Sequence, residues 1–171
     1  MKTSIVLRSS VIAAVLALAF TGCANKKSGN IPGGGADGDY VSGSALPDRQ
    51  EGVSFLSANV DRHKFSPLYF GFDSDSVSGG ERAKIEQVAA FMKSASNTII
   101  IAGFTDERGT PEYNRALGEK RALAVREALI RSGADGRRLQ TVSFGAEMPA
   151  DAGSNESAWA KNRRAEFGVV R

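Results

Sequence analysis

The sequence predicts an α/β sandwich, a four-stranded mixed sheet with its helices on one face. Three observations predict it. Thr98-Ile-Ile-Ile101 is a short β-branched run and reads as a central strand buried on both faces. Apolar residues alternate at Leu68, Phe70 and Phe72, and again at Ala165, Phe167 and Val169, as in strands with one buried side. Between these segments lie two stretches whose apolar residues recur at helical spacing. The pattern leaves strand order open.

The chain opens with Lys2 and Arg8 ahead of Val11 to Phe20, an uncharged apolar run of ten residues. Such a run is too short to cross about 30 Å of hydrocarbon as a helix and matches the apolar part of an export signal. Cys23 is the single cysteine and would lack a partner in an oxidising compartment. LAFTGCA resembles the lipobox of bacterial lipoproteins. That resemblance implies a signal peptide over residues 1–22 and lipid on Cys23. With Ala24 rather than aspartate next, it also implies delivery to the outer membrane. Loss of residues 1–22 removes Lys2 and Arg8 but no acid, leaving 20 basic residues against 19 acidic ones. A balance so close to zero is no electrostatic footprint for nucleic acid.

Residues 23–62 are loose in composition. NKKSGNIPGGGADGDYVSGSALPDRQEG is rich in Gly, Ser and Asp and carries two prolines. It buries too little apolar surface to offset its ordering entropy, so it reads as a flexible linker. About 38 residues of this kind have a root-mean-square reach of roughly 35 Å. Val53, Phe55 and Leu56 lie at its end without a strand or helix pattern. Residues 63–171 then form one domain of ordinary size.

Within the domain, Leu68 to Phe72 reads as the first strand. Ser78-Gly-Gly-Glu81 has capping-box spacing and opens a helix with Ile85, Val88, Ala89 and Met92 on one stripe. The Thr98 to Ile101 strand follows. Thr110-Pro111-Glu112 is a helix start: a hydroxyl cap, a proline in the first turn, and an acid at the positive end of the dipole. That helix is expected to run to about Arg131 and stop near Gly133, with Tyr113, Leu117, Ala124, Val125, Ala128 and Leu129 on its apolar stripe. Val142 and Phe144 mark a third strand, Asn155 to Ala160 a short helix holding Trp159, and Ala165 to Val169 the last strand.

The inventory argues against an enzyme. His63 is the lone histidine, sits at the linker edge and has no nucleophile near it in sequence. No His or Cys cluster exists, so no metal or other cofactor is expected. Asp73 and Asp75 alone do not make a calcium loop. Asp106 and Glu107 are adjacent, whereas glycosidic carboxylates face each other across about 5 to 9.5 Å.

What remains is GFTDERGTPEYNRALGEKRA, Gly103 to Ala122. Asp106 follows the buried strand directly and so lies at its C-terminal edge, where ligand sites are common. At 3.6 residues per turn Arg121 falls on or beside the apolar stripe, which is not the place of a solvated charge. Asn114 lies nearly two turns before it on the same side, and Gly118 leaves space between. Arginine takes a carboxylate through paired hydrogen bonds and aspartate takes an ammonium. Acid, amide and guanidinium together would suit an amino acid-like zwitterion. An internal ion pair between Asp106 and Arg121 fits the spacing equally.

The same stretch closely resembles the peptidoglycan-associated lipoproteins (Pal), members of the OmpA-like superfamily. LYFGFDSDS before it, SFGAEMP after it and NRRAEFGVV at the end carry the resemblance on through the domain. It implies a βαβα-type sandwich that binds peptidoglycan without a covalent bond. Asp106 and Arg121 fall where the family grips the diaminopimelate of the stem peptide. Phe72, Asp73, Thr110, Asn114 and Leu117 fall at further family contacts. The expected role is to tether outer membrane to wall within a Tol–Pal-type system for envelope integrity and cell division, with TolB as the protein partner. A wall-binding lipoprotein outside that system and a peptidoglycan hydrolase are the alternatives. One departure stands out: Phe104 replaces the histidine usual before the Thr-Asp pair.

Overall fold

The computed structural model describes residues 53–171. The expected signal peptide, Cys23 and most of the expected linker lie outside the described residues. The strands are β1 (Val60–Asp61), β2 (Leu68–Tyr69), β3 (Ile99–Phe104), β4 (Leu139–Gly145) and β5 (Arg164–Val170). The helices are α1 (Arg82–Ser94), α2 (Pro111–Arg131) and α3 (Glu156–Asn162). The sheet is mixed and runs β1, β5, β3, β4, with β3 and β4 parallel and β3 antiparallel to β5. It has five strands but is four positions wide, because β1 and β2 share one edge. Val60 faces Val170 near one end of β5, and Leu68 faces Ala165 near the other.

β3 is buried along its whole length, as its β-branched run predicts. Ile99 and Ile101 join Ala165, Phe167 and Val169 of β5 in one cluster. The α1 residues Ile85, Val88, Ala89 and Met92 and the α2 residues Ala122, Val125 and Leu129 cover that face. Helix α2 starts on Thr110, whose hydroxyl accepts from the Tyr113 amide at 3.2 Å, and ends before Gly133 at φ 91°. Asn155 caps α3 in the same way. Near its middle α2 lies directly on the sheet. A Cβ built on Gly103 would sit 1.9 Å from the Gly118 carbonyl oxygen, so only glycine allows this approach.

Four expectations need correction. The first strand ends at Tyr69 rather than Phe72, and Phe72 is 62% exposed. The chain turns there because Arg121 draws the Gly71 and Ser74 carbonyls toward itself and Asp73 adopts φ 50°. Ser78 makes no side-chain cap. A single 3-10 turn over Gly79–Glu81 leads into α1 instead. The buried face of α2 is offset from the expected stripe: Asn114, Gly118, Arg121, Ala122 and Val125 point inward, while Tyr113 is exposed. Finally, the folded body begins before residue 63.

That last difference has a clear physical cause. The helices leave the other face of the sheet bare, and Ile100, Ala102 and Phe104 of β3 point into it. Phe55 and Val60 cover them, with Val142, Phe144 and Met148 packed alongside. The Phe104 ring stacks on Phe144 at 5.4 Å and meets Phe55 edge-on at 6.4 Å. Arg164 lies over its other side, 4.0 Å from the centroid. A segment that looks loose by composition is therefore partly strapped to the sheet by one ring and one strand residue. Phe55→Ala should lower the unfolding free energy by about 3 kcal/mol, the usual cost of emptying a buried aromatic site. Urea denaturation measures it, and an unchanged midpoint would mean that residues 53–61 are not part of the cooperative unit.

Candidate functional site

The C-terminal end of β3, the loop after it and the start of α2 form three walls of a pocket, and the Phe72–Asp73 turn forms the fourth. Its lining is Phe72, Asp73, Thr105, Asp106, Arg108, Gly109, Tyr113, Asn114, Leu117 and Arg121. The volume is about 200 Å³, below the range of drug-sized sites and suited to one amino acid-sized group. Six of the seven residues expected at the site meet here: Asp106, Arg121, Asn114, Phe72, Asp73 and Leu117. Thr110 does not line the pocket. Its hydroxyl is spent capping α2.

Arg121 is fully buried, at 0% exposure. Its Nε donates to the Ser74 carbonyl at 2.8 Å, Nη1 to the Phe104 carbonyl at 2.8 Å, and Nη2 to the Gly71 carbonyl at 3.2 Å. A guanidinium carries five N–H groups, and among the described residues three of those of Arg121 are engaged in this way. The Phe70 ring lies beneath it, 5.1 Å from centroid to Cζ. Burial pushes its pKa down to about 10, partly offset by the charge of Asp106, so it is still cationic at neutral pH. The expected alternative, a direct Asp106–Arg121 ion pair, does not form. Among the described residues, the arginine's hydrogen bonds go to backbone carbonyls.

Asp106 is 4% exposed and has other cationic partners. Its Oδ1 accepts from the Arg108 backbone amide at 3.2 Å and from Arg108 Nε at 3.1 Å. Its Oδ2 accepts from Arg108 Nη2 at 2.7 Å and Arg163 Nη1 at 3.3 Å. Burial by itself would raise its pKa. The hydrogen bonds from Arg108, and then from Arg163, outweigh it and hold the carboxyl below the usual range.

One buried polar group in the pocket lacks a partner. The Thr105 hydroxyl is buried without a hydrogen bond. Such a group is costly unless something completes it. Asp73, at the rim, holds φ 50° and accepts from the Tyr113 hydroxyl. A non-glycine residue in that conformation is strained, and such strain gathers at ligand sites.

Arg108, Thr105 and Tyr113 line the pocket, and Arg163 and Trp159 contact its Asp106 and Arg108; sequence reasoning placed none of the five there. Arg108 follows a loop acid and reads as solvated. Arg163 sits in NRR, where nothing in the spacing links it to Asp106. Phe104, the residue in place of the family's histidine, points to the opposite face of the sheet. Only its carbonyl reaches the site, through Arg121. Glu107 accepts from Trp159 Nε1 at 3.0 Å. Hydrogen bonds from Trp159 and Ser154 keep its pKa low, which ill suits a general acid. Among the described residues no group of His, Cys, Asp and Glu could hold a metal, and no helix is long and apolar enough to cross a membrane.

A mixed sheet with helices on one side and a charged pocket at a strand end defines a small binding domain. Comparison with known proteins agrees. Residues 69–163 match the model of the OmpA family. The peptidoglycan-associated lipoprotein of Rhizobium meliloti (strain 1021) is 39% identical over 157 residues, covering 91% of this chain and 84% of that protein. The protein of the same name from Pseudomonas aeruginosa is 35% identical over 163 residues, covering 90% of this chain and 94% of that one. The crystal structure of the peptidoglycan-associated lipoprotein from Burkholderia pseudomallei superposes with a TM-score of 0.59 at 47% identity. It covers 60% of this chain and 88% of the other. The chain belongs to the OmpA family and, within it, to the peptidoglycan-associated lipoproteins.

The depressed Asp106 carboxyl has a consequence for stability. Its contribution is fully present above the pKa of the unfolded chain, near 4, and is lost as pH falls through the lower folded value. Wild type should therefore exceed Asp106→Asn in stability at pH 7, and the gap should shrink below about pH 4. Denaturation at pH 7 and pH 3 tests this; a gap that widens in acid would refute the assignment.

Proposed function

We infer that the protein binds peptidoglycan without a covalent bond, through the diaminopimelate of the stem peptide. The observation that carries this reading is a single pocket bordered by a buried carboxylate, Asp106, and a buried guanidinium, Arg121. The free end of a diaminopimelate side chain carries an ammonium and a carboxylate on one carbon. The carboxylate meets the Arg121 guanidinium, and the ammonium meets Asp106. Asn114 and the unpaired Thr105 hydroxyl lie within the same lining and supply neutral hydrogen bonds. Support also comes from the relatives, each named a peptidoglycan-associated lipoprotein.

Lipid on Cys23 would hold the other end of the chain at the outer membrane, so reversible grip on the wall joins the two layers. In this reading the protein serves a Tol–Pal-type system for envelope integrity and cell division, with TolB as its protein partner. The exposed rings of Phe72 and Tyr113 at the pocket rim suit contact with such a partner.

Loss of the Arg121 side chain would strand three carbonyls and threaten the fold, so the test rests on Asp106 and on a charge-keeping change. Asp106→Ala and Arg121→Lys in the full-length chain should each reduce co-sedimentation with purified sacculi by about tenfold or more. Wild-type pelleting by both variants would remove the site assignment. A pull-down with the TolB of the same organism decides the Tol–Pal placement, since a lipoprotein outside that system would not retain it.

A further inference from the structure

The Asp106 carboxylate is already full. A carboxylate offers about four lone-pair sites. Oδ1 accepts two hydrogen bonds from Arg108, and Oδ2 accepts one from Arg108 and one from Arg163. Arg163 cannot easily leave. It is buried, and its Nε and Nη2 are bound to the Phe70 carbonyl at 3.1 Å and to Glu156 at 2.7 Å. Arg108 differs. Its side chain is about one-third exposed and it lines the pocket directly. Its guanidinium lies 4.1 Å from the Phe72 ring centroid and 4.0 Å from that of Trp159. Both contacts hold a cation without committing its N–H groups, and one of them rests on an exposed turn.

We propose that Arg108 is an internal stand-in for the ligand's ammonium, seated on Asp106 in the free protein and displaced when a ligand binds. This rests on the reading of the pocket as a site for an ammonium-bearing zwitterion. Its physical basis is the cost of an unpaired charge. A buried carboxylate with Arg163 as its only cation would be left partly uncompensated in the empty site. Arg108 removes that cost and keeps the pocket formed. The same contact opposes binding, because the ammonium must take sites that Arg108 holds. Observed affinity is then reduced by the fraction of time that Arg108 is away from Asp106. On displacement the guanidinium has somewhere to go, since Glu156 Oε2 already lies 3.8 Å from its Nη2. Arg108 is thus a specificity residue: a ligand that brings a cation replaces it, and a plain dicarboxylate does not.

The test is calorimetric titration of the full-length protein with free meso-diaminopimelate, and with pimelate, the same dicarboxylate without ammonium groups. Arg108→Gln should bind diaminopimelate about tenfold more tightly than wild type and show no gain for pimelate. Trp159→Leu, which loosens the arginine from one ring and leaves Asp106 untouched, should give a smaller gain in the same direction. In wild type, the Arg108 Nε–H resonance should lose its protection from solvent exchange on saturation with diaminopimelate, a readout that needs no variant. Weaker diaminopimelate binding by Arg108→Gln, an equal gain for both ligands, or a still-protected Nε–H in the saturated protein would each overturn the exchange while leaving the site intact. Failure of wild type to bind diaminopimelate would overturn the exchange and the zwitterion site together.

Discussion

The fold near the pocket depends on one buried guanidinium. Arg121 stands at the centre of α2's inward face and donates to carbonyls from the Gly71–Ser74 turn and from the end of β3. Leaving those carbonyls dry and unpaired would be costly. The arginine therefore does what a secondary-structure ladder does elsewhere: it satisfies backbone groups where the chain must turn. It ends the first strand early, pushes Phe72 to the rim and fixes the loop that carries Asp106. Burying this charge is expensive in isolation. Multiple hydrogen bonds, a ring beneath it and a nearby acid bring the cost down.

From this follows the division of labour around the pocket. Asp106 and Arg121 do not neutralise each other; each is held by other groups. Arg163 and Arg108 hold the acid, and carbonyls hold the base. Opposite charges kept apart complement a zwitterion, although on the acid side the ligand's ammonium must take over sites that Arg108 holds. The site is preorganised by the sheet and by α2, which lies close enough to aim Arg121 inward because Gly103 and Gly118 have no side chains between them.

The opposite face of the sheet supports the same loop. Phe104 contributes its carbonyl to Arg121 on one side and its ring to Phe55 and Phe144 on the other. A phenylalanine serves this position well because its ring lies in an apolar cluster under Arg164, away from the pocket. The segment that leads in from the N-terminal side thus packs against the residue two places before Asp106.

Local pattern was enough to determine much of this protein. The β-branched run around Ile99, the stripe of α1, the Thr110 cap, the Gly133 stop and the alternation in β5 are all decided by neighbours in sequence, through periodicity and backbone preference. Periodicity also put Arg121 on an inward face, which is why Asp106, Asn114 and Arg121 could be grouped before any fold was known. Tertiary structure alone decided the partners. Arg163 reaches Asp106 across 57 residues, Phe55 finds Phe104 across 49, and Arg121 meets Gly71 across 50. It also decided that Asp106 pairs with Arg108, because a flexible side chain takes the nearest uncompensated charge once burial removes water as a competitor. No spacing rule encodes contacts of that kind: they exist only after the sheet has brought distant segments together and closed them off from solvent.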